Sequence, residues 1–456
     1  MKVPHLFFLF VVALLLGACD LDEPTPSSNH NLTLLFSEDT LLFDTLLSER
    51  LSITKRLRIY NPHTESINIS KISISANSTF SLVIDGAKTT ELIDRILLGK
   101  DSLLILVNSL PVKQDLNNPY LIKDSIFVQW NGNKANIKLL AWGQDAHYLG
   151  NIRLCDQIFT ADRPYVFYDT VLVEGNCFLK IEPGSTLLFD TNAALLIAGT
   201  LHAVGSPEKV ITFRNTRFDE NYQIAPGQWP GINFLVGSTD HIMDFTLIEN
   251  AVNGITIGTP DVDTIADLRL LHTRIQHSAQ IGLAAYNSDV TAQNLLILNS
   301  GIYGVLNAAG GSYHYSNCTF VNTPNSFYSQ EPTMVVTNRL SLSDGSEIFN
   351  PLLLNLQNNI IWGLSEDDLF LQDDGMTPFE LLASHNLIHS NVAREGNFVF
   401  LNQEFPLFED IDEYNYELDS ASFCIDLGLD IGIVDDLKGR KRDKSPDLGA
   451  LESAIP

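Results

Sequence analysis

The sequence predicts an all-β chain in which an antiparallel β-sandwich is followed by a parallel β-helix. Residues 31–146 alternate apolar and polar side chains with a period of two, which is the pattern of strands with one buried face. Beyond residue 150 a motif of about 22 residues recurs, a length that suits one coil of a β-helix. Neither region carries an apolar stripe with the period of an α-helix.

Residues 1–18 are predicted to be a lipoprotein signal peptide. Lys2 supplies a positive charge, and residues 6–16 form an apolar run shorter than the roughly 20 residues that a membrane-spanning helix needs. The run ends in LGAC (16–19), which resembles the bacterial lipobox. That resemblance implies cleavage before Cys19 and lipidation of its thiol, so that the lipid is the membrane anchor. An ordinary signal peptide followed by an incidental cysteine is the alternative.

Residues 19–30 are polar, contain two prolines and are predicted to form a tether. Asp20, Asp22 and Glu23 stand close to the lipidated cysteine. This resembles the acidic signal that directs lipoproteins of Bacteroides relatives to the outer face of their outer membrane. We therefore expect an outer-membrane lipoprotein that faces the cell exterior. A solvated linker with no targeting role is the alternative.

Net charge and cysteine count exclude some functions and leave others open. The formal net charge of −27 argues against nucleic acid as a partner, because phosphates require a basic surface. It also disfavours polyanionic glycans unless a calcium ion or a local basic patch intervenes. Four cysteines remain besides Cys19, and they allow up to two disulfides or buried free thiols.

The first domain, residues 31–146, is predicted to contain about seven short strands. Segments 51–62, 66–75, 102–112, 124–130 and 136–143 alternate apolar and polar residues, and Asn, Pro, Gly and Asp separate them. The order of these strands resembles the immunoglobulin-like domains of the major-sperm-protein and choice-of-anchor type. The Cys–Trp–Cys hallmark of antibody domains is missing. The resemblance implies a spacer or adhesion module.

The second domain, residues 150–453, is predicted to be a right-handed parallel β-helix. Its repeats align inward apolar residues at separations of 27, 22 and 23 residues, namely Ile248, Ile275, Ile297 and Phe320. Two positions later the aligned residues are suited to left-handed turns, namely Asn250, His277, Asn299 and Asn322. A glycine follows in three of these repeats, namely Gly254, Gly282 and Gly304. Segments 358–363 and 385–390 are weaker copies.

Segments 164–190, 199–215, 226–232 and 436–453 resemble the β-helix lipoproteins common in Bacteroidetes. The resemblance spans about residues 150 to 453 and implies a pectate-lyase-like solenoid, without an established activity. We interpret the basic run from Lys438 to Lys444 as a charged cap over the last coil.

Enzymes with this fold use clustered carboxylates, with calcium or in acid–base catalysis, beside a basic residue. The motifs of such families, Asn-Thr-Asp with a paired Asp-Asp or Asp-Pro-His-Asp, are absent, so no catalytic residue is assigned. Two acidic clusters could bind calcium or a ligand, but solvated turns are the default interpretation of both. The first comprises Asp261, Asp263 and Asp267, near Arg269 and Arg274; the second comprises Glu366, Asp367, Asp368, Asp373 and Asp374.

Aromatic, histidine and cysteine residues provide the remaining candidates. Trp229 is a candidate sugar-stacking platform, although a packing role is the simpler interpretation. No histidine pair has metal-ligand spacing, so no metal site is predicted. Cys155 and Cys177 lie 22 residues apart, one coil length, and are predicted to form a disulfide. Cys318 and Cys424 are predicted to be buried free thiols inside the stack.

Taken together, these patterns predict a surface lipoprotein whose β-helix binds a glycan or a protein partner without catalysis and without a cofactor. The alternative is a polysaccharide lyase or glycoside hydrolase that uses carboxylates on a β-helix face. Outward-facing polar residues that converge on one face would indicate where a ligand binds. Three or more carboxylates beside a Lys or Arg on that face would favour the enzyme.

Overall fold

The computed structural model describes residues 25–258, 265–323, 330–392, 400–401 and 405–453. The chain divides into two compact units, with the boundary between Asp145 and Ala146. Across the described ranges the single helical element is a 3-10 turn at Glu220–Tyr222, and no helix there is long and apolar enough to cross a membrane.

The first unit is a β-sandwich of ten strands, which run as β1 (Leu35–Phe36), β2 (Thr40–Leu47), β3 (Lys55–Tyr60), β4 (Ile67–Ser73), β5 (Phe80–Ile84), β6 (Ala87–Thr89), β7 (Glu91–Leu97), β8 (Ser102–Ser109), β9 (Tyr120–Trp130) and β10 (Asn133–Gln144). They form two sheets, with strand orders β1-β3-β8-β5-β6 and β2-β10-β9-β4-β7. The predicted sandwich is thus present, although β2 and β10 pair in parallel where the sequence predicted antiparallel strands throughout.

Alternation within the strands explains how the sandwich packs. In β8 every second side chain is buried, and Leu103, Ile105 and Val107 face the core between the sheets. Part of the predicted tether also packs on this unit, because the Ser27 N–H donates to the Ser66 carbonyl at 2.7 Å. The Asn133 amide donates to the His30 carbonyl at 2.9 Å. The ordered sandwich unit therefore reaches back to about residue 27.

The second unit is a parallel β-helix whose strands run as β11 (His147–Leu149), β12 (Ile152–Leu154), β13 (Gln157–Phe159), β14 (Tyr165–Phe167), β15 (Val171–Val173), β16 (Phe178–Ile181), β17 (Thr186–Phe189), β18 (Leu195–Ile197), β19 (Thr200–Val204), β20 (Ile211–Asn215), β21 (Ile232–Phe234), β22 (His241–Asp244), β23 (Thr246–Glu249), β24 (Asn253–Ile257), β25 (Leu268–Leu271), β26 (Arg274–Ser278), β27 (Ile281–Gln293), β28 (Leu296–Ser300), β29 (Tyr303–Ser316), β30 (Thr319–Val321), β31 (Met334–Thr337), β32 (Arg339–Ser341), β33 (Glu347–Phe349), β34 (Leu352–Gln357), β35 (Ile360–Trp362), β36 (Leu369–Gln372), β37 (Phe379–Ser384), β38 (Leu387–Ile388), β39 (Phe400–Leu401), β40 (Phe408–Asp410) and β41 (Asn415–Leu418).

Successive coils contribute one strand to each of three parallel faces. The first face is β11-β14-β17-β20-β23-β26-β28-β30-β35-β38-β39. The second is β12-β15-β18-β21-β24-β27-β29-β31-β36, and the third is β13-β16-β19-β22-β25-β27-β29-β34-β37. The long strands β27 and β29 belong to both the second and the third face. Two antiparallel hairpins, β32–β33 and β40–β41, lie outside this stack.

The predicted alignment of the repeats is confirmed by the register of the first face. Ile248 pairs with Ile275, Ile275 with Ile297, and Ile297 with Phe320. These four side chains belong to the continuous core inside the coils. Asn250, His277 and Asn299 have positive φ angles of 63°, 55° and 52°, as predicted, whereas Asn322 is not in that conformation.

The predicted glycine column is explained by the close approach of successive coils. A Cβ atom at Gly254 would lie 2.5 Å from Ile275 Cγ2 and 2.6 Å from the Gly282 carbonyl oxygen. A Cβ atom at Gly282 would meet Ile297 Cγ2 at 2.5 Å and the Gly304 carbonyl oxygen at 2.7 Å. Only glycine fits at such corners without displacing the backbone of the next coil.

The C-terminal strap, residues 405–453, covers the outer side of the first face. Its residues Tyr416 and Leu448 pack with Leu296 and Leu298 of β28 in a second hydrophobic cluster. The predicted cap over the last coil is therefore wrong: the segment crosses several coils side-on. The cause is the outer surface of β28, which is apolar and must be covered.

Candidate binding face

Outward-facing polar side chains converge on the third face. Nine positions on three neighbouring strands form what we call the polar array, namely Asp289, Thr291 and Gln293 on β27, Ser312, His314 and Ser316 on β29, and Leu353, Asn355 and Gln357 on β34. Eight of these nine side chains can form hydrogen bonds, and all nine are partly exposed. Thr291, His314 and Asn355 are in register and form the middle column.

The array exists because each strand alternates strictly between core and surface. The inward positions Tyr313 and Tyr315 are fully buried in β29. The Tyr313 hydroxyl donates to the Gly310 carbonyl at 2.7 Å, and the Tyr315 hydroxyl donates to Asn307 Oδ1 at 3.0 Å. Burial raises the pKa of both phenols, so they remain neutral supports beneath the surface. Equivalent side chains are spaced by about 4.8 Å between strands.

His314 is the central side chain of the array. Its Nε2 lies 3.1 Å from Ser312 Oγ, and its Nδ1 lies 3.4 Å from the Nδ2 atom of Asn355. Neighbouring carboxylates bind the backbone: the Ser312 N–H donates to Asp289 Oδ1 at 3.1 Å, and the Asp289 N–H donates to Asp267 Oδ2 at 2.8 Å. The charged member of the array is thus Asp289, which already accepts a hydrogen bond from the next coil.

The other faces differ in chemistry. Along the second face the outward column from β15 onward consists of apolar or uncharged residues, and Arg153 on β12 is the charged residue that precedes it. The column comprises Leu172, Leu196, Asn233, Thr256, Ala284, Leu306, Val335 and Phe370. The outer side of the first face is covered by the C-terminal strap over β28, β30, β35 and β38. A hydrogen-bonding surface open to solvent is therefore concentrated on the third face.

Trp229 is not the candidate sugar-stacking platform, because its ring does not face the solvent. The side chain is fully buried and stacks on Phe189, with ring centroids 4.1 Å apart. Its indole N–H donates to the Glu249 carbonyl at 2.8 Å. The Pro-Gly pairs on either side fold the chain so that the ring fills the core, and the packing interpretation is the correct one.

Only Asp267 of the first acidic cluster lies within the described residues. Asp261 and Asp263 lie outside the described residues. Asp267 is 2% exposed and accepts the Asp289 N–H. Arg269 belongs to β25 on the third face, whereas Arg274 belongs to β26 on the first face. The two arginines are close in sequence, but the turn between these strands places them on different faces.

Residues of the second acidic cluster bond to the protein itself. Asp368 is fully buried and accepts hydrogen bonds from the Thr333 hydroxyl at 2.9 Å and the Gly363 N–H at 2.8 Å. Its Oδ2 also lies 2.8 Å from His389 Nδ1. Burial raises the pKa of Asp368. The Asn338 amide donates to Asp374 at 3.0 Å. These contacts hold turns in place.

Cys155 and Cys177 form a disulfide. Among the described residues, Cys155, Asp156 and Cys177 are the one set of potential metal ligands that lie close together. The two cysteine sulfur atoms are bonded to each other in the disulfide and are therefore not thiolate ligands. Both free thiols are buried, as predicted, but only Cys318 lies in the β-helix core; Cys424 belongs to the strap and packs between it and the first face, outside the stack. Burial raises the pKa of both free thiols to about 12. Cys19 lies outside the described residues.

No family model and no curated protein matches this chain. The ASH/PapD-like domain of human CEP192 is similar at 13% identity and a TM-score of 0.18, over 27% of this chain and 92% of that one. The catalytic unit of the GH87 alpha-1,3-glucanase from Streptomyces thermodiastaticus is similar at 10% identity and a TM-score of 0.25, over 73% and 78%. A family 123 glycoside hydrolase from Clostridium perfringens is similar at 7% identity and a TM-score of 0.17, over 27% and 25%. Scores this low support no functional inference.

Proposed function

We propose that this protein binds a neutral glycan through the polar array on the third face of its β-helix. The observation that carries the proposal is the convergence of eight hydrogen-bonding side chains on three adjacent strands. Hydroxyl and amide groups at regular spacing match the hydroxyl-rich surface of a sugar chain. Each such contact adds roughly 1 kcal/mol, so a ligand must span several of them to bind tightly.

Charge directs the choice of ligand. The array contains one carboxylate, Asp289, and it is flanked by Arg269 on β25 and Glu380 on β37, so its local charge is slightly negative. The whole chain has a formal charge of −27, which repels polyanions at a distance. A neutral glycan is repelled neither by the array nor by the net charge of the chain. The one carboxylate of the array, Asp289, accepts the backbone N–H of Ser312, which favours recognition over hydrolysis or elimination.

The proposed location is the outer surface of the cell. The apolar run 6–16 followed by Cys19 supports a lipid anchor, and the acidic residues after Cys19 support export to the outer face.

A Cys19→Ala variant should be released from membranes, because a run of that length does not span a bilayer. Membrane fractionation after a high-salt wash measures this; a variant that stays with the membranes has another anchor. Protease accessibility in intact cells tests the orientation.

The binding proposal is tested with variants of one face against variants of another. Replacing the middle column, Thr291→Leu with His314→Leu and Asn355→Leu, should weaken the best ligand from a panel of neutral glycans by about tenfold or more. The matched control is Asn233→Leu with Thr256→Leu on the second face, which should bind like the wild type. Isothermal titration calorimetry measures both, and circular dichroism verifies folding. Equal losses in the two variants would exclude the third face as the site.

The same glycan panel decides between binding and catalysis. Reducing ends and unsaturated products are measured with the wild type, with and without calcium. We expect no product. Product that disappears in Asp289→Asn, while glycan binding persists, would establish a hydrolase or lyase on this face.

A further inference from the structure

The contacts of His314 allow two chemically different roles. Ser312 Oγ, the His314 ring and the Asn355 amide follow one another at 3.1 and 3.4 Å. A hydroxyl, an imidazole and an amide in this order also describe a nucleophile, a general base and the group that orients the base. The two roles differ in which ring nitrogen carries the proton.

The Asn355 amide favours one of the two. Its Nδ2 faces Nδ1 of the ring, and an amide nitrogen only donates, so Nδ1 must accept. The ring proton then lies on Nε2 and is donated to Ser312 Oγ. With its proton on Nε2, the ring cannot remove the hydroxyl proton of Ser312. This serine is therefore not activated, and its own hydrogen is directed to another acceptor.

We infer that His314 is a positioning residue that makes Ser312 a hydrogen-bond donor toward the ligand, so that the array selects sugars with an acceptor oxygen at this point. The carbonyl of an acetamido group only accepts, whereas the ammonium of a free amino sugar only donates. The inference rests on the proposed function and adds to it a preference for N-acetylated over free amino sugars.

The charged groups around His314 would produce the opposite preference. Asp289, on the adjacent strand β27 and in register with Ser312, attracts an ammonium group. Two strands away, Arg269 is in register with Thr291 on one side, and Glu380 is in register with Leu353 on the other. Because the negative charges outnumber the positive one, simple attraction favours the cationic sugar. A preference for the acetylated sugar must then come from hydrogen-bond polarity.

The proton position is measurable in the full chain without any ligand. Nitrogen NMR of imidazole-labelled protein, with His314→Gln to assign the signal, should show the form with hydrogen on Nε2. Asn355→Asp should shift the proton to Nδ1, because a carboxylate accepts from that atom. A wild-type ring with hydrogen on Nδ1 overturns the inference, whether or not a glycan binds.

Selectivity is measured by calorimetry with the N-acetylglucosamine hexamer and the glucosamine hexamer. The acetylated hexamer should bind about fivefold more tightly, the ratio expected from one hydrogen bond. The ratio should fall toward one in Ser312→Ala and Asn355→Asp, and stay unchanged in the second-face control Thr256→Val. Equal affinities in the wild type overturn the selectivity. If no glycan of any kind binds while the ring carries its proton on Nε2, the proposed function fails and the assignment of His314 stands.

Serine reactivity separates the two roles directly. A fluorophosphonate probe should leave Ser312 unlabelled, as expected for a hydroxyl without a general base. Labelling that is lost in both Ser312→Ala and His314→Gln would overturn the inference and establish an activated serine.

Discussion

Arg442 and Glu452 form an ion pair with 2.8 Å between Nη1 and Oε2, and their side chains are only 1% and 10% exposed. Arg442 also donates to Asn294 Oδ1 and to the Gly449 carbonyl, each at 2.8 Å. Burial lowers the pKa of Arg442 and raises that of Glu452, so each charge depends on the other. This pair lies where the C-terminal strap meets the coils.

Breaking the pair should destabilise the β-helix strongly. Arg442→Met leaves the Glu452 carboxylate buried without its partner, and we expect a loss of about 3–5 kcal/mol in the free energy of unfolding. The matched control is Arg153→Met, whose ion pair with Glu174 is exposed and should contribute at most about 1 kcal/mol. Guanidinium unfolding of both variants measures the difference. Equal losses in the two variants would show that the buried ion pair contributes no more to stability than the exposed one.

The side chains of Asn250, His277 and Asn299 form a ladder along the first face, and it is interrupted at His277, whose two ring nitrogens have no hydrogen-bond partner among the described residues. Within the same part of the chain, Asn250 Oδ1 on one side lacks a donor, and Asn299 Nδ2 on the other lacks an acceptor. Upstream, Asn250 Nδ2 donates to Asn215 Oδ1 at 2.9 Å, which sets the direction of the ladder. An asparagine at 277 would continue that direction on both sides.

His277→Asn should therefore stabilise the protein by about 1–2 kcal/mol, because two buried groups gain partners. The control is His385→Asn, since the ring nitrogen of His385 already has Ser384 Oγ at 2.7 Å. Calorimetric melting temperatures compare the two. A lower melting temperature for His277→Asn would mean that the ring fills space that an amide does not.

Stability should depend on pH through two buried histidines. Burial lowers the pKa of His241 to about 3 and that of His277 to about 4, from an ordinary value of 6.5. The unfolded chain takes up these protons below pH 6.5, while the folded chain does not until near pH 4 and pH 3. The stability conferred by the neutral rings is thus complete above pH 6.5 and is lost as the pH falls toward these values.

The size of this loss is expected to be on the order of 2–3 kcal/mol per histidine. His272 acts in the opposite sense, because its contacts with Asp244 and Asp435 raise its pKa despite burial. Its contribution is present below pH 6.5 and disappears as the pH rises through the folded value. Unfolding at pH 4, 5.5 and 7 measures the dependence. His277→Asn should have a shallower slope than the wild type, and an identical slope would refute the assignment.

Trp229 is expected to matter for stability and not for direct ligand contact. Trp229→Ala removes a fully buried ring stacked on Phe189 and should cost about 3–5 kcal/mol. Phe370→Ala is the control, since that ring is 43% exposed on the same β-helix and should cost much less. If the folded Trp229→Leu variant loses glycan affinity but not stability, the ring contributes to binding after all.

The inward column was predictable from sequence because the core demands one apolar residue per coil at one position. The pairing of Ile248, Ile275, Ile297 and Phe320 follows from that demand alone. A second turn column was missed, although its residues also have positive φ angles: His272, Asn294, Asn317, Asn358 and His385. These side chains precede the first-face strands, and the signal for them is the recurrence of Asn or His two positions before each strand begins.

The position of the C-terminal strap was not predicted correctly, for a different reason. The charges of residues 438–444 are visible in sequence, but Asn294, which accepts a hydrogen bond from Arg442, is 148 residues away. A signal was available in LLIL (295–298), since consecutive apolar residues indicate a strand buried on both sides. The polar array was likewise encoded, as SYHYS (312–316) alternates polar and aromatic residues. Which face those residues share depends on the coil, which sequence alone does not fix.

The strap also imposes an order on folding. Coils from β14 to β30 stack through contacts between neighbouring repeats, which form early because little chain must be ordered to make them. The contacts of Asp435 with His272 and of Ala450 with Thr319 join residues 163 and 131 positions apart, and they form only after the strap itself has been synthesised. Until then, Leu296 and Leu298 remain open to water and to other chains. The strap thus acts as a kinetic checkpoint, because these apolar side chains are protected from aggregation only once the strap has packed on β28.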